Sequence, residues 1–349
     1  GNSAISVASY LEGEKQGDNT YETSTSEYYD NESGKVFETM SKEMEEYLKK
    51  NNANSTLDKI SILRGKNRIG LDMTISFTKD VSVLALMFDN EVKNMIRDEI
   101  KNMMEKINNE YIETRNYNDT GNRIREKATA LIQTFEHNTT RDLDPELHYH
   151  NFISNMVIRS SDGKLTSLSN EKLMENTNNL RIELTYKLAY RLQHEAGYDA
   201  YLDTNGALRV MDDDRVIETF SKRKQAITQV AKERYGIDDL SKLSKEQIKE
   251  LVMLTRKNKS KQNIESLQDI WKEELAELGY SEEKFLQAIQ HRRAGVLEKQ
   301  DYEKAFNIVL QRYDDLEGIF QKDKAYRDYL IMLSDVAKEK QALLPDLEE

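Results

Sequence analysis

Phe135-Glu136-His137-Asn138-Thr139-Thr140-Arg141-Asp142-Leu143-Asp144-Pro145-Glu146-Leu147-His148-Tyr149-His150 decides how this chain folds and what it can hold. The chain has five histidines, and three of them fall within this stretch. His148 and His150 are two apart, so on a strand both side chains point to the same face. His137 follows the run Ala128-Thr129-Ala130-Leu131-Ile132-Gln133-Thr134-Phe135, which also reads as a strand. With those two strands side by side, three imidazoles converge on one point. Three protein nitrogens with open positions are what a catalytic divalent cation requires. A His-x-His pair alone is common and usually carries no chemistry. The third histidine, the Asp-rich approach Arg141-Asp142-Leu143-Asp144-Pro145 and the scarcity of histidine elsewhere shift the balance toward a metal site. Pro145 fits a rigid turn that delivers residues 147–155 into their strand.

Outward from this stretch, the pattern is α+β. Arg68-Ile69-Gly70-Leu71-Asp72-Met73-Thr74-Ile75-Ser76-Phe77 alternates and reads as a strand. Its Leu71, Met73, Ile75 and Phe77 face one side, and Asp72, Thr74 and Ser76 the other. By itself an aspartate on such a face is a solvated charge. Residues 35–51 show Phe37, Met40, Met44 and Leu48 at helical spacing, and residues 91–114 show Val92, Ile96, Ile100, Met103 and Ile107. Asn116-Tyr117-Asn118-Asp119-Thr120-Gly121 reads as a turn. Ser161-Asp162-Gly163-Lys164 and Asp203-Thr204-Asn205-Gly206 read as hairpin turns. The sheet is therefore expected to be mostly antiparallel and flanked by helices. Residues 169–196 and 214–235 are expected helices, the latter carrying the basic cluster Phe220-Ser221-Lys222-Arg223-Lys224. Such a cluster is ordinarily a solvated face, and alternatively a phosphate contact. From Leu240 onward only helices are expected: 245–258, 264–278, 281–292, 298–313 and 322–342. The single tryptophan, Trp271, is expected in the core. This divides the chain into a core of 1–235 and an all-helical part of 236–349, the latter dividing again near 281.

Near the start, residues 4–8 alternate as a short strand, and residues 13–34 read as a loop rich in Gly, Asn, Ser, Thr and acids. Tyr10, Tyr21, Tyr28 and Tyr29 lie along this segment. The chain has 18 tyrosines against 9 phenylalanines, so most tyrosines are packing residues. Beside a metal, however, a deprotonated phenol can attack phosphorus.

Composition narrows the field. Without cysteine, disulfides, zinc–thiolate sites and cysteine catalysis are excluded. The longest apolar run, Val83-Leu84-Ala85-Leu86-Met87-Phe88, is too short to span a bilayer. No charged-then-apolar leader is visible, so a cytoplasmic protein without membrane insertion is expected. The net charge of −12 argues against a general nucleic-acid binder. Residues 61–235, however, balance 26 Lys and Arg against 27 Asp and Glu, which leaves room for a local basic groove.

Taken in order, these motifs resemble the conjugative relaxases of the F-plasmid type, the MobF family within the HUH single-strand endonucleases. Ala8-Ser9-Tyr10 followed by Tyr28-Tyr29 resembles that family's two tyrosine positions. Gly70-Leu71-Asp72-Met73-Thr74-Ile75-Ser76-Phe77-Thr78-Lys79-Asp80-Val81-Ser82-Val83 resembles its strand-and-helix signature. The opening stretch resembles its three-histidine motif, spacing included. Asn155, Asp162-Gly163-Lys164, Gly197-Tyr198, Phe220-Ser221-Lys222-Arg223, Thr255-Arg256-Lys257 and the helix around Trp271 follow in the family's order. The resemblance covers roughly residues 4–280. Three features depart from it: Tyr149 stands where an aliphatic residue is usual, Leu11 where many members have a second tyrosine, and the stretch between Tyr10 and Tyr28 is long, which leaves Tyr21 as an alternative second nucleophile.

The resemblance implies an enzyme that nicks one strand at a plasmid origin of transfer in a bacterial cytoplasm and stays joined to the 5′ end. His137, His148 and His150 would hold one divalent metal, Mg or Mn in the cell, with Zn, Ni or similar in purified protein. Tyr10 would be the nucleophile, and Tyr28 or Tyr29 would perform a second transfer. A phenol has a pKa of about 10 in water and needs help at neutral pH. Asp72 is the candidate, either taking the proton or orienting a metal-bound histidine. Single-stranded origin DNA is the implied partner, together with accessory DNA-processing proteins and the transfer machinery. Three rival readings follow from the same residues: a rolling-circle replication initiator, a metallonuclease that uses water, and a helical interaction protein that is no enzyme.

Overall fold

A computed structural model describes residues 34–66, 68–255, 264–314 and 322–347. The expected strand at 4–8 and Tyr10, Tyr21, Tyr28 and Tyr29 lie outside the described residues. The architecture is α+β, with antiparallel sheets flanked by helices and a helical C-terminal region, as expected.

The central sheet has four described strands. β1 (Lys35–Thr39) pairs with β5 (Ile132–Thr139), β5 with β6 (Pro145–Ser154), and β6 with β2 (Gly70–Ser76), all antiparallel. β2 is two-faced as its alternation predicts: Asp72, Thr74 and Ser76 are exposed, while Leu71, Met73 and Ile75 are half-buried. Gly70 opens it because a Cβ there would lie 2.4 Å from the Ile153 carbonyl oxygen and strike the Phe152 ring.

Two short helices, α1 (Lys42–Lys50) and α2 (Thr56–Ile62), precede β2, and α3 (Lys79–Val83) follows it. The long helix α4 (Asn90–Glu110) lies under the sheet. Its Val92, Ile96, Ile100 and Ile107 are fully buried in a core shared with Leu147, Tyr149 and Ile153 of β6. A second small sheet closes on itself from β3 (Glu113–Tyr117), β4 (Arg123–Thr129), β7 (Met156–Arg159) and β8 (Leu165–Ser169). Helix α5 (Glu171–His194) leads to a two-stranded hairpin of β9 (Tyr201–Leu202) and β10 (Leu208–Arg209), at the expected turn. Next come α6 (Asp214–Thr219), α7 (Lys222–Tyr235), α8 (Lys245–Leu254), α9 (Ile264–Glu277), α10 (Glu282–Ile289), α11 (Lys299–Asp314) and α12 (Lys322–Glu339). Trp271, Phe285, Leu330 and Val336 from these helices enter the same core as α4 and β6. Near the end of the chain, the Leu344 amide donates to Gln193 Oε1 at 2.7 Å and Tyr186 donates to the Pro345 carbonyl at 3.1 Å.

Three local expectations are corrected. Residues 35–39 form a strand rather than the start of a helix, because β5 offers them a pairing edge. The helix begins only after Ser41, whose side chain caps it by accepting from the Met44 amide. The helix expected over 91–114 stops at Glu110, and 113–129 forms the β3–β4 hairpin. The helix expected over 214–235 breaks at Phe220-Ser221, where the buried Phe220 ring turns the chain inward.

Candidate metal centre

β5 and β6 place the three histidines by register. His137 lies directly opposite His148, and His150 follows two residues on, on the same face. The ring centroids are 4.9 Å apart for His137 with each of the others, and 5.5 Å for His148 with His150. One nitrogen from each ring lies within 4.8 Å of the other two. His137 Nδ1 and His148 Nε2 are 3.2 Å apart. Two nitrogens sharing a cation at metal–nitrogen distances of about 2.1 Å need roughly that spacing.

In His148 and His150 the other ring nitrogen is held by an acceptor, which fixes where the lone pair points. His148 Nδ1 donates to the Glu146 carbonyl at 3.0 Å, and His150 Nδ1 donates to Asp72 Oδ2 at 2.7 Å. Carbonyl and carboxylate oxygens only accept, so both rings keep Nε2 as a base. Thr74 Oγ1 is 3.2 Å from the same His150 nitrogen. Burial holds the His148 imidazolium below the usual histidine range, so this ring is neutral at physiological pH. Imidazole ligands bring no charge of their own to a bound cation, and a set of three, one buried and two oriented from behind, suits a divalent cation of borderline character.

The loop before β6 is fixed from several directions. Thr140 Oγ1 accepts from the amides of Asp142 and Asp144, and Leu143 takes a left-handed φ of 64°. Asp144 is fully buried and accepts from the Lys222 amide at 2.9 Å, at the N-terminus of α7, with Lys222 Nζ at 3.3 Å. Burial raises its carboxyl to about 6, against the opposing pull of Lys222 and Lys79. Trp271 is in the core as expected, and its Nε1 donates to the Leu143 carbonyl at 2.8 Å. The basic cluster on α7 therefore turns partly inward. Lys222 also pairs with Glu274 at 2.5 Å, and Arg223 donates to the Val252 carbonyl at 3.2 Å. Pro145 is the first residue of β6, opposite Thr139, rather than part of a turn.

Of the site residues expected from sequence, His137, His148, His150 and Asp72 come together. Tyr10, Tyr28 and Tyr29 lie outside the described residues. A basic ribbon escaped the sequence reading. Arg115 and Tyr117 on β3 and Arg123, Arg125 and Lys127 on β4 are all exposed and share one face, with Arg115 opposite Arg125 and Tyr117 opposite Arg123. The period-2 recurrence of Arg123, Arg125 and Lys127 was the available signal.

The family model for the TrwC relaxase matches residues 6–278. The chain belongs to the TrwC relaxase family. This agrees with the resemblance to MobF conjugative relaxases. The Multifunctional conjugation protein TraI of Escherichia coli is 27% identical over 230 residues, which cover 62% of this chain and 12% of TraI. The chain thus spans only a small part of the length of that relative. Among solved structures, conjugative relaxase TrwC in complex with oriT DNA in its metal-bound form is similar at a TM-score of 0.62 and 25% identity, over 80% of this chain and 96% of that one. TrwC complexed with a 27-mer DNA comprising the recognition hairpin and the cleavage site gives a TM-score of 0.56 and 32% identity, over 62% of this chain and 76% of that one. Among the described residues, no helix is long and apolar enough to cross a membrane.

Proposed function

We propose that this relaxase-family chain nicks and rejoins single-stranded DNA at a plasmid origin of transfer, through a 5′-phosphotyrosine intermediate, with a divalent cation held by His137, His148 and His150. The observation that carries this reading is the in-register convergence of the three imidazoles in a chain of the TrwC relaxase family. When bound, a cation would offset the charge that grows on the non-bridging phosphate oxygens. Mg or Mn suits that task in the cell.

The chain's own residues supply the rest. The Tyr10 oxygen attacks the scissile phosphorus as the phenol's proton passes to solvent water. The bond to the 3′ oxygen breaks, and that oxygen takes a proton back from solvent, leaving a free 3′-OH and a phosphodiester to Tyr10. Because the ester is retained, the 3′-OH can reverse the step and reseal the strand. Tyr28 or Tyr29 takes a second transfer. The 2.7 Å contact with His150 favours Asp72 as the group that orients this ring over its role as proton acceptor.

The β3–β4 ribbon is assigned to DNA. Arg115 is paired with Glu171 and Arg125 lies 3.9 Å from Glu113, and a phosphate backbone along the ribbon would compete with these carboxylates for both guanidiniums, with Arg123 and Lys127 beside them. TrwC has been solved with a DNA that includes a recognition hairpin, and the ribbon is the natural counterpart here for such a duplex. It also answers the overall charge of −12, which speaks only against unspecific binding. In this reading residues 1–235 carry catalysis, residues 236–349 are a helical extension that shares their core, and the protein works in the bacterial cytoplasm with accessory and transfer proteins.

The test is a library of labelled single-stranded oligonucleotides incubated with the chain and Mg²⁺ or Mn²⁺, run on a denaturing gel. A covalent band that Tyr10→Phe abolishes, with DNA binding retained, is expected. Cleavage with two free ends and no covalent band would mean that water is the nucleophile and would refute the proposal.

A further inference from the structure

The face of the sheet opposite the histidines carries a second set of polar groups that the proposed chemistry does not use. Glu136 sits next to His137 on β5 and points the other way. Its side chain is 7% exposed, with Lys93 Nζ 2.7 Å from Oε1 and Arg97 Nε donating to Oε2 at 2.8 Å. Lys93 and Arg97 are one turn apart on α4. Tyr149, between His148 and His150, is fully buried and donates its hydroxyl to the same Glu136 Oε2 at 3.0 Å. Glu136 and Tyr149 are direct cross-strand partners.

The place of this rung in the ladder gives it a role. Pairing between β5 and β6 is regular from Ile132 opposite Ile153 to His137 opposite His148, and then shifts between His137 and Thr139. A slip of one residue would send every side chain of a strand to the other face. The Glu136–Tyr149 and His137–His148 rungs are the last two before the irregularity. Two cations of α4 fix the Glu136 carboxylate, and with it β5. The phenol ties β6 to the same carboxylate.

We propose that Tyr149, acting through Glu136, Arg97 and Lys93, is a positioning residue that keeps His137 in register with His148 and thereby sets the affinity of the three imidazoles for a cation. An aliphatic side chain would fill the same core position without reaching the carboxylate. The inference rests on the reading of the histidines as metal ligands.

The test is a titration of the full chain with Mn²⁺ alone, comparing wild type, Tyr149→Phe and Tyr186→Phe. Tyr186 is equally buried and donates to the Pro345 carbonyl at 3.1 Å, so its variant loses the same kind of hydrogen bond elsewhere. Tyr149→Phe should raise the Kd for Mn²⁺ roughly three- to tenfold, at or below the lower end of what loss of an outer-shell partner costs. Tyr186→Phe should leave Kd unchanged at a comparable loss of Tm. Glu136→Gln, a second route to the same network, should move Kd in the same direction. Wild-type Kd in Tyr149→Phe would overturn the inference, as would an equal rise in Tyr186→Phe, which would mean general loosening. Wild type failing to bind Mn²⁺ would remove the metal reading itself, and this inference with it.

Discussion

Replacing Asp72 should weaken cation binding through His150 while leaving the fold intact. Asp72 touches no proposed ligand atom that would face a cation. It holds His150 Nδ1 at 2.7 Å and so keeps the proton there and the lone pair on Nε2. Loss of a carboxylate behind a metal-bound histidine usually costs about 10- to 100-fold in affinity. Two features of this site favour the lower end. The Asp72 side chain is 38% exposed, so its charge is screened by water. Thr74 Oγ1 stands 3.2 Å from the same nitrogen and can accept in its place. Asp72→Ala should therefore raise the Kd for Mn²⁺ about tenfold, or about 1.4 kcal/mol. Asp72→Asn should cost less, because its carbonyl oxygen still accepts. Calorimetric titration of both variants gives the affinity, and nitrogen-15 NMR of the His150 ring gives the tautomer. If Asp72→Ala combined with Thr74→Val still binds Mn²⁺ within about twofold of wild type, with the proton still on Nδ1, orientation from behind is not what Asp72 does.

Asp144 sets a pH dependence. Its carboxyl is raised from 3.8 to about 6, so the ionised form is disfavoured in the folded chain and costs on the order of 3 kcal/mol above that pH. The cost fades as pH falls through 6 and is gone near 3.8. Asp144→Asn keeps an acceptor for the Lys222 amide and should have the higher Tm at neutral pH, with the advantage vanishing in acid; a constant difference across pH would contradict this. In the ribbon, Arg123→Ala and Arg125→Ala should each lower the slope of log affinity against log salt by about 1 for hairpin-containing DNA. Neither should change cleavage of a short oligonucleotide without a duplex, and an unchanged slope would detach the ribbon from DNA. Trp271→Phe removes the hydrogen bond to the Leu143 carbonyl and should destabilise the chain by about 1–3 kcal/mol in denaturant unfolding. Amide exchange in the 140–144 loop should rise with it, and unchanged protection there would show that Trp271 does not hold the loop.

The histidine pair of strands was legible because its signals are local. His148 and His150 alternate, Asp72 lies on the polar side of an alternating strand, and α4 repeats its apolar residues at helical spacing. The elements that were misread are defined by distant partners. Phe37 and Met40 happen to fall at helical spacing with Met44, yet residues 35–39 belong to β5 by pairing. β4 sets Arg123, Arg125 and Lys127 on its outer face, but Glu126 stands between Ile124 and Ala128 on the inner one, so its apolar pattern is interrupted by a charge. The start of α7 is satisfied by Asp144, a residue 78 positions earlier in the chain, and no local rule reveals such a cap. The Glu136 hub was hidden for the same reason: a lone glutamate beside a histidine gives no sign that Lys93, Arg97 and Tyr149 converge on it.

The most direct test of the whole account is an anomalous difference map from crystals of the full chain soaked in Mn²⁺. The geometry predicts a single peak at bonding distance from one nitrogen each of His137, His148 and His150, on the Asp72 side of the sheet. Strong peaks elsewhere, with His137 Nδ1 and His148 Nε2 still 3.2 Å apart and nothing between the three rings, would contradict it.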